Sequence, residues 1–277
     1  EDLFFMQINL LILVAAVQGL TEFLPVSSSG HLVLIPVFSN FSYQGHVIDV
    51  AAHVGTLIAV SFYLRNEIIA IIIALLNFGR TDQANALLGI LIVLATIPVV
   101  LAGYLVNYAD WRWIDMLQTL AIANLGFALL LWLSDKAPVT RNGLRSVTMT
   151  PALMIGLAQI CALIPGASRS GVTTSAARFL GYDRITAARF SLLLSLPAIA
   201  GAGTLKSLDL VKGGDLALGG DAAFVVVLSA WLAWLSIFWM MRWLAAASFN
   251  IFVYYRIALG AFLLIGLYQG WLEPIIS

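Results

Sequence analysis

The chain is short of charge. Only 10% of its 277 residues are Asp, Glu, Lys or Arg, and its 14 acids cancel its 14 bases. A neutral chain offers no basic face, so no nucleic-acid partner is expected. There is one cysteine, Cys161, which excludes an internal disulfide and a thiolate metal cluster. No stretch is long and polar enough for a soluble catalytic domain. No cleavable signal peptide is read, because the N-terminal apolar run lacks a basic segment before it and flows into polar residues. The first residue is Glu1, and a start or leader is expected to precede it. What the chain has in abundance is hydrocarbon: 61% of residues are hydrophobic and the mean hydropathy is +0.98. That is the composition of an integral membrane protein. Any chemistry must happen in or at the bilayer.

The apolar runs predict an all-α membrane protein with six spanning helices and two re-entrant hairpins. Ala222–Met241 is the cleanest span, at about the 20 residues a bilayer core needs. Val47–Leu64, Leu87–Leu105, Met116–Leu133, Arg189–Thr204 and Ile251–Trp271 complete the six. Two runs, Leu10–Leu24 and Ala152–Ile164, each stop at a proline, Pro25 and Pro165. A Ser/Gly-rich segment follows each, then a short apolar stretch, Leu32–Phe38 or Val172–Leu180. Neither short stretch can cross. Irregular backbone is tolerated at membrane depth where it lines a polar cavity or is buried in protein.

The hairpins read as repeats. Ser27-Ser28-Ser29-Gly30 matches Ser168-Arg169-Ser170-Gly171, and Gln18 matches Gln159, both at an offset of 141 (168 − 27 and 159 − 18). The expected organisation is one membrane domain over 1–277, with a first half over 1–135 and a second over 150–277. Each half holds one hairpin and three spans. Three crossings are odd, so the second half is expected to be inverted, an architecture known in transporters. The loops then separate by charge. One side carries Arg65, Arg80, Lys136, Arg141, Arg145, Arg178, Arg184, Arg189 and Arg242; the other carries Arg112, Lys206 and Lys212, with Asp209, Asp215 and Asp221. The Lys/Arg-rich side is expected to be cytoplasmic, with both termini outside. Arg256, inside the last span, is expected to snorkel to the cytoplasmic face. Trp111, Trp113 and Trp271 read as an interfacial belt.

The polar groups of the hairpins carry the chemistry. Each Ser/Gly turn leads into a short helix, whose free N–H groups and partial positive charge suit an anion. Inverted halves bring the turns together near mid-membrane, with Arg169 facing Ser27–His31. Arg169, two helix N-termini and the hydroxyls of Ser27, Ser28, Ser29, Ser168, Ser170 and Thr173, with Gly30 and Gly171, make a phosphate cradle large enough for two phosphates. Gln18 and Glu22 are four apart on one helix face, and their oxygens suit Mg²⁺ or Ca²⁺. Plainer roles stand beside these. Glu22 could cap its helix, the turn hydroxyls could satisfy their own backbone, His31 could be interfacial, and Arg169 could clamp carbonyls. Asp49 and His53, also four apart, either pair with each other or support the site.

The run Gln18–His31, Gln-Gly-Leu-Thr-Glu-Phe-Leu-Pro-Val-Ser-Ser-Ser-Gly-His, resembles the first signature of the bacterial undecaprenyl-pyrophosphate phosphatase family, the bacitracin-resistance type. Pro165–Thr173 is similar to its second signature, and Asp49–Thr56 to the segment between. The resemblance covers the whole chain in order. It places the family's (Glu or Gln)-x-x-x-Glu pattern on Gln18 and Glu22, its essential serine on Ser28, its histidine on His31 and its arginine on Arg169. The first position of the pattern here is Gln, which leaves one carboxylate. The resemblance implies a divalent-metal-dependent enzyme of the bacterial inner membrane. Its site opens to the periplasm and removes the terminal phosphate of undecaprenyl pyrophosphate, recycling the lipid carrier for cell-wall synthesis. The acid-phosphatase-like lipid phosphatases would need a His six residues after Arg169 and an Asp four further; Ser175 and Phe179 stand there.

The expected reaction is attack by Ser28 on the terminal phosphorus, with His31 as base or acid and Glu22 and Gln18 on the metal. Attack by His31 or by water stays open. The competing reading is a polyprenyl-phosphate transporter or flippase, which the inverted repeat suits. An anion channel fits poorly, since the polar groups cluster. Oligomeric state, including a homodimer, is left open.

Overall fold

The computed structural model describes residues 2–38, 46–106, 116–213 and 219–272. Trp111, Arg112, Trp113 and Asp215, given roles above, lie outside them. Among the described residues there are eleven α-helices and no strand, only an isolated bridge between Arg141 and Tyr182. The helices are α1 (Asp2–Thr21), α2 (Ser28–Phe38), α3 (His46–Tyr63), α4 (Arg65–Leu76), α5 (Gln83–Val106), α6 (Leu117–Asp135), α7 (Met149–Ala158), α8 (Arg169–Phe179), α9 (Arg184–Gly213), α10 (Gly220–Leu244) and α11 (Asn250–Tyr268).

Five helices are long and apolar enough to cross a membrane: α5, α6, α9, α10 and α11. The sixth expected span is α3, which passes that test only together with α4, from which it is bent by 78° at Leu64. The sequence reading missed α4 altogether. No Pro or Gly marks the bend, and the apolar composition of α4 continues that of α3. Glu67 on α4 pairs with Arg189 near the start of α9 at 2.8 Å. Large side chains such as Phe62, Val93, Leu105, Val227, Trp231 and Trp239 are more than half exposed. So wide an apolar surface belongs in hydrocarbon, and the chain is a multi-pass membrane protein.

The short helices start earlier than expected. The Ser/Gly segments are the first turns of α2 and α8 and not loops before them. Ser27 and Ser168 cap them: Ser27 Oγ accepts from the Gly30 N–H at 3.4 Å, and Ser168 Oγ from the Gly171 N–H at 3.2 Å. A hydroxyl cap of this kind lets poor helix formers open a helix. Both caps are left-handed, with φ of 72° at Ser27 and 70° at Ser168. At about 11 residues and 1.5 Å per residue, each helix is about 16 Å long, half a bilayer core.

Packing is reciprocal. α1 lies on α10, and α7 lies on α5. α3 fits α10 so closely that a Cβ on Gly55 would fall 2.0 Å from Ser229 Oγ. Several of the basic residues grouped on one side are tied into the fold by acids and carbonyls. Arg184 makes a bidentate pair with Asp135, at 2.6 and 3.0 Å, and Arg178 donates to the carbonyls of Asp135 and Ala137. Arg145 pairs with Asp82 at 2.8 Å.

Candidate active site between two helix N-termini

The turn that precedes α2 meets the start of α8 in the interior. Ser170 Oγ, in the first turn of α8, donates to the carbonyl of Leu24, in the turn before α2, at 2.8 Å. Between them is a cavity of about 270 Å³, whose polar lining is Glu22, Ser27, Ser28, Ser29, His53, Gln159, Ser168 and Arg169. Its apolar wall comes from α5, α9 and the 3₁₀ turn Gln159–Leu163.

Glu22 is the hub. Its Oε2 accepts from Ser28 Oγ at 2.6 Å and from Gln18 Nε2 at 3.0 Å, and its Oε1 accepts from Arg169 Nη2 at 3.2 Å. The carboxylate is 8% exposed and the arginine 15%. A buried charge pair this well supplied with hydrogen bonds is held in place, and it would be strongly unfavourable to break one partner at a time. Glu22 therefore bonds side chains from both hairpins and does not merely cap its own helix.

The other expected residues divide. Ser27, Ser29 and Ser168 line the cavity with Ser28 and Arg169. Ser170 and Thr173 are buried and spend their hydroxyls on backbone and on each other's neighbours: Thr173 Oγ1 donates to the Arg169 carbonyl at 2.8 Å and meets Ser191 Oγ at 2.7 Å. Gly30 and Gly171 sit in the first turns, where Gly171 leaves room for a guanidinium; a Cβ there would meet Arg256 Nη1 at 2.9 Å. His31 is not part of the cavity wall. Its Nδ1 bonds the Ser27 carbonyl at 2.7 Å and its Nε2 bonds the Tyr255 hydroxyl at 2.5 Å. A carbonyl only accepts, so Nδ1 carries the proton of that bond. His53 does line the cavity, and its Nδ1 bonds the backbone carbonyl of Asp49 at 2.8 Å.

Arg256 corrects an expectation. It does not snorkel; it is fully buried and is the largest of the fully buried side chains. Nη1 donates to the Pro25 carbonyl at 3.2 Å, Nη2 to those of Gly166 and Ala167 at 2.7 and 3.1 Å, and Nε to Asn124 Oδ1 at 2.9 Å. Asn124 returns a bond to the Arg256 carbonyl at 2.7 Å. No carboxylate pairs with it among the described residues. The carbonyl clamp weighed for Arg169 thus exists, on another arginine, and it ties both turns to α6 and α11. Gly166, with φ of 89°, is needed in this arrangement because a Cβ would fall 2.3 Å from the Leu120 carbonyl. An arginine inside an apolar span was the available signal.

Two buried amides remain partly unpaired. Gln159 has no partner on either amide atom, and Gln18 has none on Oε1. Among the described residues no three His, Cys, Asp or Glu side chains group to hold a metal. The oxygens that could serve one are those of Glu22, the unpaired Oε1 of Gln18 beside it and the unpaired Oε1 of Gln159 in the cavity lining.

The chain is similar to several known bacterial proteins that share one name. Undecaprenyl-diphosphatase of Roseobacter denitrificans is 41% identical over 264 residues, covering 94% of this chain and 98% of its own. That of Dinoroseobacter shibae is 43% identical over 267 residues, with the same coverage. That of Alcanivorax borkumensis is 44% identical over 255 residues, covering 91% and 96%. These relatives lend no support to the transporter reading. Residues 11–262 match the family described as bacitracin resistance protein BacA, and the chain belongs to that family.

Proposed function

We propose that this protein is an undecaprenyl-diphosphate phosphatase that removes the terminal phosphate of the lipid diphosphate and leaves the lipid monophosphate. The observation that carries the reading is the Glu22 carboxylate, which accepts at once from Ser28 Oγ and from Arg169 inside a cavity flanked by two helix N-termini. A hydroxyl bonded to a carboxylate is a nucleophile with its base in place. A guanidinium and two helix N-termini stabilise phosphate charge.

The terminal phosphate enters between α2 and α8 and draws the Arg169 fork onto its oxygens. Ser28 Oγ attacks phosphorus as Glu22 Oε2 takes the hydroxyl proton. The bridging P–O bond breaks, and the lipid monophosphate leaves with that oxygen. Water then cleaves the phosphoserine, releasing inorganic phosphate. Glu22 takes the role of base because it is 2.6 Å from Ser28, while His31 holds the Ser27 carbonyl and so fixes the left-handed cap. Left-handed non-glycine residues are strained by about 1–3 kcal/mol each and persist where surroundings over-determine them.

A divalent ion fits this donor set in part. Mg²⁺ is commonly held by one or two carboxylates together with substrate phosphates. Glu22 and the unpaired Oε1 of Gln18 would hold Mg²⁺ or Ca²⁺ alongside the diphosphate. Bound there, the ion would neutralise charge developing on the phosphate oxygens.

The halves 1–135 and 150–277 are read as inverted repeats of one membrane domain. In support, α2 and α8 are both 11 residues long and offset by 141 at each end (169 − 28 and 179 − 38), and their caps share one geometry. The inner membrane, with the α1–α2 hairpin opening to the periplasm, is the setting that the nine-to-three division of Lys and Arg favours.

Purified protein in detergent, given undecaprenyl diphosphate without any gradient, tests the proposal. Inorganic phosphate should be released, the release should stop with a chelator, and Mg²⁺ or Ca²⁺ should restore it. Binding of the lipid without phosphate release would be the behaviour of a carrier and would overturn the reading.

A further inference from the structure

The polar cavity has an apolar neighbour. A second cavity, of about 310 Å³, lies between α3 and α9 and shares His53 and Ile199 with the first. Its other walls are Val54 and Leu57 on α3 and Ala200 and Gly203 on α9. The space exists because α9 places small residues there. A Cβ added to Gly203 would meet nothing within 4 Å. Thr204, at its edge, turns its hydroxyl back to the Ala200 carbonyl at 2.7 Å and so presents its methyl side. Ala200 and Val54 are exposed, and the two helices are read as membrane spans, so the groove faces the bilayer near the end of the α9 span, of which Thr204 is the last residue.

A polar chamber joined through shared walls to an apolar one suits a ligand with a charged head and a branched hydrocarbon tail. We propose that the groove between α3 and α9 takes the first isoprene units of the substrate tail, with Gly203 and Ala200 setting the width admitted. The proposal rests on the phosphatase reading and adds where the lipid lies. A larger apolar groove, about 580 Å³, runs past Leu20, Trp239, Trp243 and Ala246, but it shares no wall residue with the polar cavity. Its wall includes Leu20 and Leu24, on either side of Glu22, so it is the competing position for the tail and the test must separate the two.

The test fills each groove in the full-length protein and reads head and tail separately. Gly203→Phe fills the α3–α9 groove, Ala246→Phe the larger one, and Gly126→Phe is a control at another position where a Cβ meets nothing. KM and kcat are measured with undecaprenyl diphosphate, and inorganic pyrophosphate serves as a tail-less competitive inhibitor. Gly203→Phe should raise KM about tenfold, with kcat and the pyrophosphate inhibition constant nearly unchanged, the pattern of lost uniform binding. Ala246→Phe and Gly126→Phe should behave as the unsubstituted protein. The inference is overturned if Gly203→Phe leaves KM unchanged, if Ala246→Phe raises it instead, or if pyrophosphate inhibition weakens in step with KM. Loss of co-purifying phospholipid from Gly203→Phe with unchanged kinetics would assign the groove to bulk lipid and overturn it too. If the unsubstituted protein releases no phosphate from undecaprenyl diphosphate, the phosphatase reading itself fails, and that result is distinct from all of these.

Discussion

The guanidinium of Arg256 donates through Nη2 to the carbonyl of Gly166 at 2.7 Å, joining α11 to the turn that precedes α8. The same side chain reaches Pro25 in the other turn. The relative position of Ser28 and Arg169, which Glu22 bonds directly, is thus also braced by a residue that touches neither the cavity nor, on the proposed mechanism, the substrate.

Arg256→Met should leave the carbonyls of Pro25, Gly166 and Ala167 without their donor. Each unsatisfied buried group costs about 1–3 kcal/mol, so a loss of about 3 kcal/mol or more is expected, read as a fall in unfolding temperature in detergent. Arg256→Lys should also be poor, because one ammonium cannot reproduce the planar fork. A protein of unaltered stability would show that the turns hold themselves.

Ser28→Ala should lower turnover by about a thousandfold or more if Ser28 is the nucleophile, with Ser29→Ala far milder. Mass spectrometry of acid-quenched enzyme should find phosphate on Ser28. Equal modest losses at both serines, with no phosphoserine, would point to water or His31 as the attacking group.

Removing the charge of Arg169 should lower kcat by about a hundredfold to a thousandfold, the range for a donor aimed at developing charge. Glu22→Gln should be at least as damaging, since it removes both base and ion-pair partner. Near-normal turnover of a folded Arg169→Ala protein would sink the phosphate placement.

Gln159→Met should stabilise the ligand-free protein. The amide is fully buried with no partner for either atom, and an apolar chain of similar volume removes a penalty of about 1–3 kcal/mol. A lower unfolding temperature would instead show that the amide is satisfied by something bound in the cavity.

The orientation can be read in intact cells on a Cys161→Ala background. Cysteines at Asp221 and Gln269, both exposed beyond helix cores, should react with an impermeant thiol reagent, and one at Asn142 should not. The reverse pattern would falsify the inside–outside assignment.

Much of this arrangement was legible in the sequence. Two prolines followed by Ser/Gly runs marked the hairpins, and the 141-residue offset paired Ser27 with Ser168 before their shared left-handed geometry was seen. What was not legible depended on distant partners. Whether Arg256 points to water or inward is decided by carbonyls 90 and 231 residues away. The direction of His31 is decided by Tyr255, 224 residues on. The bend at Leu64 leaves no mark because α4 is as apolar as the helix it leaves. The early starts of α2 and α8 went unseen because Ser and Gly are poor helix formers whose intrinsic preference the caps override.

The clamp also constrains the order in which the protein can be made. Helix α11 emerges from the ribosome after the other ten described helices, and it enters the bilayer with a guanidinium two turns in from its first residue. Insertion scales put the cost at about 2.5–3.5 kcal/mol for an arginine at a helix centre, an upper bound for one nearer the helix start. The penalty is relieved only when Asn124 and the two turns are already present to receive the side chain. The two hairpins can already meet through Glu22 and Arg169 and through Ser170 and Leu24, so α11 arrives as the brace that closes an assembly already begun.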